Sequence, residues 1–157
     1  MKTLFTFLSI LITFFSFAQQ PALNPVTWKA TYSPLPSLEG EIIITATIDD
    51  KWHIYSQRPT DAGPIPTSFS ITPNKNIELL GKVEETNAHE EYVKAFEANV
   101  YVFDKNAVFK QKIKRHTKDE IKIKITLEYM TCNDMQCLPP KIVELELVIP
   151  STSIVKK

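Results

Sequence analysis

The chain has 157 residues, 18 Lys+Arg against 18 Asp+Glu, 43% hydrophobic residues, three Gly, eleven Pro and two Cys. The apolar share is enough for one real core, which excludes wholesale disorder. The zero net charge excludes a polybasic nucleic-acid binder, the scarcity of Gly argues against a phosphate-cradling loop, and two Cys cannot build a disulfide-dense scaffold.

Met1 to Ala18 has the pattern of a secretory signal peptide. Lys2 is the positive start, Leu4 to Phe17 the apolar stretch, and Ser16-Phe17-Ala18 puts small residues before a cut at Gln19. About 14 apolar residues are short for a bilayer span. The expected mature chain, 19–157, is one exported domain with no membrane span, in a compartment where disulfides persist.

The strand candidates follow in order: Thr27–Tyr32, Glu41–Ile48, Trp52–Ser56, Thr67–Ile71, Ile77–Val83, Asn99–Phe103, Phe109–Ile113, Ile121–Tyr129 and Val143–Ile149. Ile121 to Tyr129 alternates strictly, with apolar side chains on odd positions facing a core and polar ones facing water. Pro-rich punctuation separates the runs. Eight or nine short strands of this kind predict an all-β, immunoglobulin-like antiparallel two-sheet sandwich. Glu84 to Ala98 has poor periodicity and is expected to be a long loop. The cations from Lys110 to Arg115, with Lys122 and Lys124, are expected on outer sheet faces and edges. Trp28, Phe69, Phe103 and Phe109 are core candidates.

Cys132-Asn133-Asp134-Met135-Gln136-Cys137-Leu138-Pro139-Pro140 follows the most regular strand. Extended backbone would hold the two Cα atoms about 16 Å apart, whereas a disulfide needs them within about 7 Å. A bridge therefore requires a turn, which Asn133-Asp134 favour. Closing so small a ring stabilises little, about 2 kcal/mol in the chain-entropy expression, and exposed or strained bridges are the labile ones. Strand parity puts Cys132 on the outer face with Lys122, Lys124 and Glu128. Asp134 disfavours a thiolate, and no cation follows until Lys141. Pro139 and Pro140 stiffen the exit from the loop. On these residues alone, a working redox pair and a plain hairpin-tip disulfide both remain open. His53, His89 and His116 have no metal-ligand spacing, and no metal site is assigned.

The Cys-Asn-Asp-x-x-Cys-Leu-Pro-Pro run after Glu-Tyr-Met-Thr resembles the redox loop of the N-terminal periplasmic domain of DsbD-type thiol:disulfide interchange proteins. Asp50-Lys51-Trp52-His53-Ile54-Tyr55-Ser56 is similar to that domain's aromatic strand. The likeness covers Gln19 to Pro150. It implies an immunoglobulin-like fold and a carrier of reducing equivalents, a thiol-disulfide oxidoreductase component needing no cofactor. Cys132 and Cys137 would be the redox pair, with Cys137 forming the mixed disulfide and Cys132 resolving it. Trp52, His53 and Tyr55 would wall the site, Tyr92 and Phe96 would belong to a shielding cap, and Asp134, Pro139 and Pro140 would support the loop. The donor would be a thioredoxin-like or membrane-embedded protein, and the acceptors exported proteins bearing disulfides. The cysteine spacing is one residue shorter than in some members. With nothing after Lys157, the resemblance implies a stand-alone version or a separate subunit. The alternative from another class is a non-catalytic exported sandwich, a binding or adhesion module with a structural disulfide.

Overall fold

A computed structural model describes residues 23–152 except 61, 62 and 95; the expected signal peptide lies outside the described residues. Ten strands are described: β1 (Val26–Pro34), β2 (Glu39–Ile48), β3 (His53–Tyr55), β4 (Ser68–Ile71), β5 (Ile77–Thr86), β6 (His89–Val93), β7 (Ala98–Asp104), β8 (Asn106–Arg115), β9 (Ile121–Cys132) and β10 (Cys137–Ile149). They form a four-stranded sheet in the order β1-β2-β8-β5 and a six-stranded sheet in the order β10-β9-β3-β7-β6, with β4 also paired to β9. Every pairing is antiparallel. The expected immunoglobulin-like two-sheet sandwich is the fold. No helix among the described residues is long and apolar enough to cross a membrane.

Period-two alternation places the core between the sheets. Ile42, Ile44, Ala46 and Ile48 of β2 meet Ile121, Ile123, Ile125 and Leu127 of β9, with Trp28, Phe103 and Phe109 among them. Trp28 stands edge-on to Tyr129 with ring centroids 5.3 Å apart, and Phe109 lies 4.8 Å from Phe69. Such offset aromatic contacts add about 0.5–1.5 kcal/mol each beyond area burial.

Two expectations need correction. The segment from Glu84 to Ala98 is not a loop: β5 runs on to Thr86, and β6 pairs with β7 from His89↔Val102 to Val93↔Ala98. Its sequence lacks alternation because β6 is an edge strand whose first four residues are all exposed, so its ladder rather than an apolar face orders it. The cationic run Lys110–Arg115 does not mark an edge, because β8 lies between β2 and β5. Within it Arg115 is buried, donating to the carbonyls of Pro150 and Asp119, and Gln111 is buried, donating to the carbonyl of Leu80. Carbonyls that accept from its two terminal nitrogens lower the cost of burying the guanidinium, an arrangement that strand parity does not reveal.

The chain changes sheets abruptly. Lys105 alone, at φ 60°, separates β7 from β8, and Asn87, at φ 71°, opens the step from β5 to β6. Asn tolerates the left-handed region better than most residues. In β5 the register shifts between Leu80 and Glu84, where Gly81 has φ +74°. A glycine there adopts the bulge conformation without a Cβ penalty.

Candidate functional site: a cysteine pair lining a cleft

Cys132 ends β9 and Cys137 begins β10; they are direct partners in the ladder and form a disulfide with Cα atoms 4.0 Å apart. The Asn133 N–H donates to the carbonyl of Gln136 at 2.9 Å. That bond makes the cysteines the adjoining non-hydrogen-bonded pair, the kind that brings side chains closest. Asn133 Oδ1 accepts from the N–H groups of Met135 and Gln136, both at 2.9 Å. One Asn side chain thus organises the turn that the sequence predicts. Pro139 and Pro140 fall in the register shift between Leu138 and Lys141, where their missing N–H groups cost the ladder nothing.

The expected exposure of Cys132 is wrong: its relative accessibility is 1%. Parity itself holds, but the surroundings change along the strand. The even positions of β9 pass from exposed Lys122 and Lys124, through half-buried Thr126, Glu128 and Met130, to buried Cys132. β3 lies beside that end in the same sheet, and the β6–β7 hairpin follows it. They supply a second apolar cluster, on the opposite face of the sheet from the main core, made of Tyr55, Val93, Val100, Val102 and Cys132, with Phe96, Ala98, Met130 and Cys137 packed against it.

Above this cluster opens a cavity of about 750 Å³ lined by both cysteines, residues 133–136, His53 and the segment from Glu91 to Lys94. Cys137 is half-buried at its rim, whereas Met135 at the turn's tip is 92% exposed. Of the aromatic candidates, His53 lines the cavity and Tyr55 lies beneath it, with His53 Nε2 2.9 Å from the Tyr55 hydroxyl. Tyr92, 58% exposed, lines the opposite wall, and Phe96 packs edge-on to Tyr55 at 5.9 Å. Trp52 is not among the lining residues; it packs against the main core, one position out of phase with His53 and Tyr55. Asp134 lines the cavity from the turn.

The electrostatics also depart from the local sequence. The fold brings His53 opposite Cys132 and Lys94 into the cavity wall, two groups far from the cysteine loop in the chain. Burial lowers the His53 pKa below its usual value, opposed by the carboxylates of Glu91, Asp104 and Asp134, while His89 lowers it further. Burial raises the Tyr55 phenol, with Glu91 adding to the effect, so the hydroxyl stays protonated. At the outer mouth, His89 Nε2 lies 3.2 Å from Asp104 and 3.7 Å from Glu91. These three exposed groups are close enough to share an ion, although the three histidines of the sequence do not converge. Glu91, Lys94 and Asp104 carried no sequence signal, because only strand register reveals their proximity.

These features define an immunoglobulin-like sandwich with a disulfide-bonded cysteine pair, one sulfur buried and one half-buried, lining a cleft. The family model for "Thiol:disulfide interchange protein DsbD, N-terminal" matches residues 20–148, and the chain belongs to that family. Among solved structures, the fold is similar to the Neisseria meningitidis DsbD N-terminal domain in the reduced form. That match has 15% identity and a TM-score of 0.56, over 83% of this chain and 92% of that one. It is also similar to the N-terminal periplasmic domain of ScsB from Proteus mirabilis, at 14% identity and a TM-score of 0.58, over 84% of this chain and 50% of that one. No curated protein sequence matches the chain.

Proposed function

We propose that residues 19–157, exported to the periplasm after removal of Met1–Ala18, act as a thiol–disulfide exchange carrier whose working pair is Cys132 and Cys137. A thioredoxin-like or membrane-embedded donor reduces the bridge, and the domain passes the two electrons to disulfides of exported proteins. In that second half, the Cys137 thiolate attacks one sulfur of the acceptor's disulfide and expels the other as a thiol. Cys132 then attacks Cys137 Sγ, re-forming the bridge and releasing the acceptor's second thiol. Two electrons leave the domain and both acceptor sulfurs gain a proton.

The observation that carries the reading is the unequal placement of the sulfurs. Cys137 is half-exposed at the rim of an open cleft, and Cys132 is buried against the second cluster. A partner's sulfur can approach the first but not the second, which is the asymmetry that an attacking and a resolving thiol require. Family membership supports exchange chemistry as the activity. Tyr92 forms the exposed wall beside the pair, a suitable place for a shield that moves when a partner docks.

The test is a trap. Cys132→Ala leaves Cys137 able to attack but unable to release its partner, so mixed disulfides through Cys137 should accumulate in the source cells. Their complete absence would end the carrier reading and leave a sandwich with a structural disulfide. A reduction potential below about −300 mV would argue the same way.

A further inference from the structure

The ladders place four side chains in one line across the six-stranded sheet. Asp104 of β7 is the direct partner of His53 on β3, His53 the partner of Cys132 on β9, and Cys132 the partner of Cys137 on β10. Directly opposed residues of antiparallel strands share a face, with Cβ atoms about 4.5–5.5 Å apart. The line thus runs carboxylate, imidazole, buried sulfur, rim sulfur. We propose that His53 is the general base that takes the proton from Cys132 when the mixed disulfide at Cys137 is resolved, and that Tyr55 holds its ring in position for this. The inference rests on the exchange reading and adds a residue and a proton path to it.

The buried sulfur needs such help. Cys132 is 1% exposed, and burial in apolar surroundings disfavours a thiolate. Asp134 in the adjoining turn opposes a second negative charge there. Even an unperturbed thiol, with a pKa of about 8.5, is only a few per cent ionised at neutral pH. A neighbouring base that accepts the proton as the sulfur attacks removes the need for a free thiolate.

His53 fits that task. Among the described residues, its ring is hydrogen-bonded through Nε2 to the Tyr55 hydroxyl at 2.9 Å. The bond occupies one nitrogen and leaves Nδ1 for the sulfur. Burial keeps the imidazole neutral near neutral pH, the form a base must have. The charged and titratable groups around it are Glu91 and His89 of β6, Asp104 of β7, Asp134 of the cysteine turn, Tyr55 on its own strand and Lys94 at the cavity wall. The three carboxylates favour the imidazolium once it forms. The balance closes without another reagent: the Cys132 proton passes to Nδ1, the Cys132–Cys137 bond forms, and the bond from Cys137 to the acceptor breaks. The acceptor's departing thiolate then takes up a proton that His53 returns directly or through water.

The experiment uses reduced residues 19–157 and oxidised glutathione, with acid quenching and mass spectrometry to follow glutathione on Cys137. With a neutral imidazole as base, the decay rate of the mixed disulfide should be nearly flat from about pH 6.5 to 8.5, the interval between ordinary His and Cys ionisation. In His53→Gln the rate should instead rise about tenfold per pH unit over that interval, and lie at least about tenfold below wild type at pH 7. Tyr55→Phe, which keeps the ring in its cluster, should slow the step several-fold while retaining the plateau. An unchanged profile in His53→Gln overturns the assignment. If that variant does not fold, a wild-type rate that climbs tenfold per unit from pH 6.5 overturns it equally. Failure of the exchange reading looks different: in Cys132→Ala, glutathione would never appear on Cys137, and the role of His53 would fall with it.

Discussion

Reducing the Cys132–Cys137 bridge opens a ring of only six residues. In the chain-entropy expression, a ring of that size is worth about 2 kcal/mol. The structure makes this a ceiling. Asn133 still accepts two backbone N–H groups within the turn, and the β9–β10 ladder still runs from Leu138↔Thr131 to Ile149↔Ile121. The ends therefore remain close with the sulfurs unlinked, and the thiols stay in the same cluster. The expected outcome is a reduced domain that remains folded, with a loss of at most about 2 kcal/mol and a fall in Tm of no more than about 10 °C. Calorimetry of residues 19–157 with and without reductant measures this directly. The Cys132→Ala/Cys137→Ala double variant serves as a control, since serine at 132 would bury a hydroxyl. A loss above about 4 kcal/mol, or unfolding at 25 °C on reduction, would show that the bridge is a staple and refute the reasoning that makes it labile by design.

Two further outcomes follow from the cleft. Truncating the exposed wall by Tyr92→Ala should raise the rate of bridge reduction by dithiothreitol a few-fold with little change in stability, because Tyr92 is 58% exposed; an unchanged rate would deny it a shielding role. His53 is held below its unfolded pKa of about 6.5 by burial, so the unfolded chain binds more protons in the window below that value, and stability rises with pH there. The advantage of wild type over His53→Gln in urea denaturation should therefore be full above pH 6.5 and shrink as pH falls below it, and a difference that grows on acidification would contradict the burial.

The sheet pattern was legible where one face of a strand is buried. Ile121 to Tyr129 and Glu41 to Ile48 lie in the strands their alternation predicts, because one face of each meets the opposite sheet. β6 was not legible, because an edge strand with polar residues on both faces carries no period. The turn at Asn133 could be read from its chemistry, but the burial of Cys132 could not: parity gives the face of a side chain, not which distant side chains cluster with it. The same limit applies to His53. Its place next to a sulfur 79 residues away in sequence number depends on the register of β3 with β9, fixed in part by Thr131 Oγ1 donating to the His53 carbonyl at 2.8 Å. Trp52 and His53 are neighbours in sequence, yet one packs on the main core and the other lines the cavity.

The two apolar clusters on opposite faces of one sheet divide the obligations of β9. Its odd residues, from Ile121 to Tyr129, belong to the scaffold; its last even ones, Met130 and Cys132, belong to the cleft. Tyr55, Val100 and Val102 likewise belong to the second cluster, outside the scaffold's packing. Evolution or an engineer can re-line the chamber around the sulfurs, altering which visitors fit and how readily they react, while the framework that holds it upright is inherited unchanged.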